Sequence, residues 1–241
     1  MITKNQIKLI TSLQQKKNRN LHNLFFAEGE KVIRELLNSK FELEHLYFTE
    51  NIFDDLTLNN ATEITSSGLD KITALSTANN CLAIFKQSKE MPVLDCKITL
   101  VLDKIQDPGN LGTIIRLCDW FGIYQIVCSI DTADYYNPKV VQATMGSLTR
   151  VNINYCDLDR YLSSAKLPVF GTFMDGENIY KTNLPDAAIL IMGNEANGIS
   201  ESIEKYINRK ITIPRFGDFQ KTESLNVANA TAIVLSEFRR N

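Results

Sequence analysis

Histidine is almost missing from this chain: His22 and His45 are the only two in 241 residues. That excludes histidine-rich metal sites and leaves little ground for a Ser–His–Asp or Cys–His nucleophile engine. No metal site is expected. The five cysteines (Cys81, Cys96, Cys118, Cys128, Cys156) form no CxxC pair and sit mostly in apolar stretches, so they read as buried, reduced thiols. Apolar runs are short; "AAILIMG" at 187–193 is far below the span of a bilayer. The N-terminal segment has no signal-type apolar region, and the expected location is cytoplasmic. Neither GxxxxGK[ST] nor GxGxxG occurs, which removes the phosphate loop and the dinucleotide fingerprint. Any chemistry must therefore use Asp, Glu, Arg, Asn, Ser or a cofactor.

What is present is a chain with 44% hydrophobic residues, enough to fill a core. The net charge of −2 is unevenly spread: residues 1–27 hold Lys4, Lys8, Lys16, Lys17 and Arg19 and no acid. A basic arm on a mildly acidic body points to a polyanion partner, although a solvated helix face would look the same. Apolar spacing predicts helices over about 3–18 and 28–39, then short strands at 43–49, 62–65 and 81–86. These make a small α/β domain over 1–90, followed by a polar, proline-bearing linker at 91–97. A second α/β series fills 98–241. Strands are expected at 98–105, 124–129, 149–155, 168–174, 188–193 and 210–214, and helices at 111–121, 138–145, 157–164, 199–206 and 224–239. The strands are nearly continuous apolar runs, as in a parallel sheet covered on both faces. Ligands bind such sheets beyond the strands' carboxyl ends.

Three stretches fall at those ends. In "DKIQDPGNLGTIIRLCDW" (103–120), Leu111, Ile114, Ile115, Cys118 and Phe121 form the buried stripe. Arg116 lies off it, roughly 140° from Leu111. Asn110 is placed to cap the helix, and Gly109 and Gly112 permit close backbone approach. An exposed arginine here is either merely solvated or set to grip an anion through its fork of donors. In "LIMGNEANGIS" (190–200), Gly193, Glu195 and Gly198 suit a loop wrapped around a small ligand. In "ITIPRFGDFQKTESLNVANATAIVLSEF" (211–238), Ser224 is placed to cap a helix that is apolar almost all round, and so must be buried in the domain or against another chain.

Taken in order, "DPGNLGTIIRLCDWFGI", "LIMGNEANGIS" and "IP…ESLNVANATAIVLSEF" resemble the three signature motifs of the SpoU (TrmH-like) RNA 2′-O-ribose methyltransferases of the SPOUT superfamily. The likeness covers roughly 98–239. "LFFAEGEKVIRELL" and "LEHLYFTEN" look like the small RNA substrate-binding domain that precedes many rRNA-directed members. The resemblance implies a mostly parallel sheet with helices on both faces and a deep C-terminal trefoil knot. It also implies a small N-terminal α/β domain of ribosomal-protein type, S-adenosylmethionine as cofactor, and a homodimer through the last helix. Carried over, Thr172, Gly193, Glu195, Gly198, Ile213, Leu225 and Asn226 border the cofactor. Arg116, Asn110, Glu195, Ser224 and Asn226 form the catalytic set. Lys16, Lys17, Arg19, Asn110 and Arg116 face RNA.

The chain departs from the pattern at Ala228, where relatives usually have Ser, at Ala196–Asn197 after the second-motif acid, and in a long "RFGDFQKTE" loop. The substrate expected is structured RNA, with 23S rRNA ahead of tRNA because a separate domain with a basic arm can hold a distant feature of a large RNA. An inactive RNA-binding or ribosome-assembly module of the same fold is the alternative.

Overall fold

The computed structural model describes residues 2–50, 52–89, 91–217 and 224–240. It divides into two compact units, Met1–Lys89 with Asp134–Thr149, and Glu90–Ala133 with Arg150–Asn241. The first unit runs α1 (Lys4–Ser12), α2 (Lys16–His22), β1 (Leu24–Glu28), α3 (Glu30–Leu37), β2 (Leu43–Phe48), β3 (Ala61–Glu63), α4 (Ser66–Leu69) and β4 (Cys81–Lys86).

The predicted helix over 3–18 is in fact two. Thr3 opens α1 with a reciprocal cap, accepting from the Gln6 amide while Gln6 accepts from the Thr3 amide. At the other end the Ser12 hydroxyl donates to the Leu9 carbonyl, and a turn separates α1 from α2. Strand β1 is missing from the sequence reading. All five of its residues are buried, so "LFFAE" carries no period-two alternation to read. The sheet order is β1-β4-β2-β3. Leu24 and Phe26 pack with Ile10, Leu13, Tyr47, Leu82 and Ile84 on one face.

The second unit contains β5 (Ile98–Leu102), α5 (Pro108–Trp120) and β6 (Gln125–Ser129). After α6 (Pro138–Thr144) come β7 (Asn152–Cys156), α7 (Leu158–Ser163), β8 (Val169–Asn178), β9 (Ala188–Met192), α8 (Glu201–Glu204), β10 (Arg209–Thr212) and α9 (Val227–Phe238). Here α8 is a single turn rather than the helix expected over 199–206, and β8 extends past its predicted end. Six strands lie in the order β10-β8-β9-β5-β6-β7, every adjacent pair parallel. Alternation assigns the faces. Val101, Val127, Ile189 and Ile191 pack on Leu158 and Leu162 of α7 and on Ile199 and Ile203 around α8. The opposite face carries Leu100, Ile126 and Leu190, all buried. Phe170 of β8 meets Phe238 of α9 at 5.3 Å between ring centroids.

Residues 134–149, which include α6, pack with the first unit. Tyr136 stacks at 4.6 Å on Phe25, near Phe41, and its hydroxyl accepts from the Ser88 amide. Phe25 thereby finds cover on the face of the sheet that Leu24 and Phe26 do not use.

Candidate active site

In a parallel sheet all carboxyl ends lie at one edge, so the segments following β5, β9 and β10 open on the same side. These are the turn 103–107, the loop 193–200 and the segment from Ile213. The loop after β9 is closed by backbone: Asn194 N donates to the Gly198 carbonyl at 2.9 Å, and Gly198 N to the Asn194 carbonyl at 2.8 Å. A Cβ on Gly193 would lie 2.3 Å from backbone atoms of Gly198 and Ile199, so only glycine permits this closure. Gly198 stands at φ +68 with open space where a Cβ would point.

A chain of side-chain hydrogen bonds joins the three motifs. Asn226, not Ser224, caps α9: its Oδ1 accepts from the amides of Ala228 at 3.0 Å and Asn229 at 3.3 Å. Two N–H groups facing one atom identify that atom as oxygen, so Nδ2 must point away from the helix. It donates to Asn110 Oδ1 at 2.9 Å. Asn110 then has only its amide nitrogen left, and this donates to Glu195 Oε1 at 2.7 Å. The end of α9 thus fixes the orientation of two amides and one carboxylate.

Asn110 itself is not the cap of α5. Asp107 is, accepting from the Asn110 amide at 2.8 Å, with Pro108 in the first turn, where no amide hydrogen is needed. Moving the start back one turn leaves the Asn110 side chain unspent by capping, and so able to bridge Asn226 and Glu195. Helices α5 and α9 run side by side in the same direction. Asn110 and Asn226 meet at their starts, and Arg239 donates to the carbonyls of Phe121 and Gly122 at their ends, 2.9 Å each.

Leu111, Ile114, Ile115 and Cys118 are fully buried, while Phe121 is only partly covered. Arg116 is exposed and has no hydrogen bond or ion pair among the described residues. It shares an exposed face with Gly109, Thr113 and Trp120, the last 83% exposed. Thr172 donates from its hydroxyl to the Ile191 carbonyl at 3.4 Å. Ile213 is half-buried past β10, and Leu225 and Ser224 are exposed just before α9. Residues 218–223 of the long loop lie outside the described residues.

Arg19 requires correction. It is 1% exposed, and its guanidinium bonds Asp134 and the carbonyls of Leu13 and Gln14, the latter two at 2.9 Å. It cannot present that group to RNA. Lys16 and Lys17 remain exposed. Burial pushes the thiols of Cys118 and Cys128 well above the usual range, leaving them protonated and unreactive. Among the described residues no group of three or more His, Cys, Asp or Glu is arranged to hold a metal ion. Nor is any described helix long and apolar enough to cross a membrane.

Comparison with known proteins gives the family. Residues 97–236 match the model of the SpoU rRNA Methylase family. The chain belongs to that family. Residues 4–83 match the MRM3-like substrate binding domain. The Bacillus subtilis 23S rRNA (guanosine(2553)-2′-O)-methyltransferase RlmP is 29% identical, over 98% of this chain and 97% of that protein. A TrmH-family structure from Porphyromonas gingivalis superposes with a TM-score of 0.90 at 37% identity, covering 100% of this chain and 99% of that one. An AdoMet-bound rRNA methyltransferase from Sinorhizobium meliloti gives 0.86 at 29% identity, covering 100% and 96%. Both units thus have full-length counterparts of the same α/β construction.

Two residues went unnoticed in the sequence. Asp103 is 2% exposed and accepts from both the amide and the hydroxyl of Ser200, each at 2.7 Å. Asn194 accepts from the amides of Ala196 and Asn197 and donates to the Lys104 carbonyl. Asp103 ends an apolar strand and Asn194 follows a glycine; that combination is the only signal that could have marked them.

Proposed function

We propose that this SpoU-family chain transfers a methyl group from S-adenosylmethionine to a ribose 2′-hydroxyl in 23S rRNA. The observation that carries the reading is the Asn226–Asn110–Glu195 chain joining the three motifs at the carboxyl edge of a parallel sheet, with Arg116 exposed further along the helix whose first turn holds Asn110 and without a partner among the described residues. The residues suit the cofactor. The open face at Gly198, the closed loop from Gly193 and the apolar side chains of Ile213 and Leu225 offer backbone polar groups and apolar cover to an adenosine. In this reading Gly193, Glu195, Gly198, Ile213, Leu225 and Asn226 hold it, and the backbone at Thr172 closes the pocket.

Once bound, S-adenosylmethionine supplies an electrophilic methyl group on a sulfonium. A ribose hydroxyl is a weak acid, so the chain must favour negative charge growing on its oxygen. A guanidinium offers donors only, so the 2′-proton passes to water rather than to Arg116. Arg116 acts as a fixed positive charge toward the 2′-oxygen and a clamp on the neighbouring phosphate. Asn110, with both ends committed to Asn226 and Glu195, is held rigidly at the start of the same helix, and rigid placement is what lowers the barrier of an in-line displacement. Ser224 sits close in sequence to Asn226 and completes the set.

The rRNA preference rests on the separate N-terminal unit with its basic first 27 residues and on the RlmP likeness spanning both units, whereas a tRNA substrate gives the first unit no evident task. A cytoplasmic location belongs to the reading, in keeping with an rRNA substrate. The reading includes a C-terminal trefoil knot, for which the support is the strand order with β10 outermost beside β8. It also includes a homodimer, supported by the partly exposed face of α9 (Asn229, Ala232, Ile233, Ser236) and by the exposed Trp120 on α5. Two measurements test it: calorimetry of S-adenosylmethionine binding to purified protein, and mapping of 2′-O-methyl positions in rRNA from cells with and without the gene. Binding, together with one 23S ribose that loses its methyl group, is the expected result. No heat at millimolar cofactor, or an unchanged methylation map, would end the proposal.

A further inference from the structure

The loop that carries Glu195 is fastened to another loop at both ends. At its exit, Ser200 donates twice to the buried Asp103, at 2.7 Å each. At its entry, Asn194 Nδ2 donates to the Lys104 carbonyl at 2.8 Å. The same side chain shapes the loop from within, because its Oδ1 accepts from the amides of Ala196 at 2.9 Å and Asn197 at 3.1 Å. As with Asn226, two N–H groups on one atom and a carbonyl opposite the other leave a single orientation for the amide. Lys104 is held in turn: its amide donates to Ser129 Oγ at 2.9 Å, and its backbone lies at φ +57. A non-glycine residue there is strained and persists only where its surroundings hold it. From Lys104 the chain continues directly to Asp107, the cap of α5, and to Asn110.

We propose that Asn194 is a positioning residue that sets the second-motif loop against the turn leading into α5. It thereby fixes Glu195 opposite Asn110 and shapes the loop for the adenosyl group. The inference rests on the preceding reading that this loop borders S-adenosylmethionine. Asn194 touches neither Asn110 nor Arg116 in the described contacts and acts through the loop. Removing its donor should therefore weaken the cofactor without weakening RNA.

Asn194→Asp is the discriminating variant. It is isosteric and keeps both accepted amide bonds, but it sets a carboxylate oxygen against the Lys104 carbonyl. The expected result is an S-adenosylmethionine dissociation constant raised about tenfold, with RNA affinity within about twofold of wild type. Asn194→Ala, which loses all three bonds, should weaken the cofactor at least as much, and circular dichroism melting should show both variants folded. An Asn194→Asp protein that binds cofactor like wild type would overturn the inference, since the tie to Lys104 would then be idle. RNA and cofactor affinity falling together would overturn it too, as general damage. Wild-type protein that fails to bind the cofactor would bring down the functional reading and this inference with it; the other two outcomes touch this inference alone.

Discussion

Arg19 and Arg116 carry the same reading in the sequence, a cation facing RNA, and the fold gives them opposite fates. In the first unit α2 turns Arg19 inward, where Asp134 and two carbonyls use most of its donors. In the second unit α5 turns Arg116 outward, with no partner among the described residues. The buried arginine holds α2 to residues 134–149 within the first unit; the exposed one is available for chemistry. Position on a helix decided this, and the two helices differ in how well sequence reveals it. Thirteen residues of α5 contain a full apolar stripe that places Arg116 opposite it. The seven residues of α2 contain one apolar residue, Leu21, which is itself exposed.

The largest effect that would sharpen this contrast is loss of catalysis without loss of fold. Arg116→Ala should lower kcat by about a thousandfold, the scale on which removing one preorganised charge from a transition state acts. S-adenosylmethionine affinity and the denaturation midpoint should stay close to wild type. Turnover near normal in that variant would take Arg116 out of the mechanism.

Arg19→Ala should do the reverse. Removing one partner of a buried pair leaves Asp134 uncompensated and costs about 3–5 kcal/mol of stability, readable from urea unfolding. Replacing both partners, Arg19→Met with Asp134→Leu, should recover most of that loss, because no charge is then left buried alone. If Arg19→Ala unfolded like wild type but bound RNA weakly, the contrast between the two arginines would collapse.

Legibility follows the same division. The parallel sheet, its strand order along the chain and the three loops at its carboxyl edge could be read because buried strands are continuous apolar runs and glycines mark their ends. Strand β1 could not, since burial on both faces erased the alternation that would have announced it. The two helix caps were each misplaced by a few residues, with Asn110 and Ser224 standing in for Asp107 and Asn226. All four are good capping residues, and choosing among them depends on where the preceding strand releases the chain. That choice mattered for the site, because a side chain spent on a cap cannot bridge two motifs. The ties from Asp103 and Asn194 run between segments about ninety residues apart, beyond the reach of any local pattern.

The smallest effect concerns what remains of the basic arm once Arg19 is withdrawn. Lys16 and Lys17 are exposed on α2, and Lys4 and Lys8 on α1. If this surface meets RNA phosphates, each lysine releases counterions on binding. Lys16→Ala and Lys17→Ala should then each lower RNA affinity only a few-fold, uniformly across RNA sequences, and reduce the slope of log affinity against log salt by about 1. Stability should not move, in contrast to Arg19→Ala, and kcat at saturating RNA should not move, in contrast to Arg116→Ala. A filter-binding titration across salt concentrations reads all of this. An unchanged slope in the double variant would mean that α2 serves the first unit's core alone, and that the charge excess of residues 1–27 is only a solvated face.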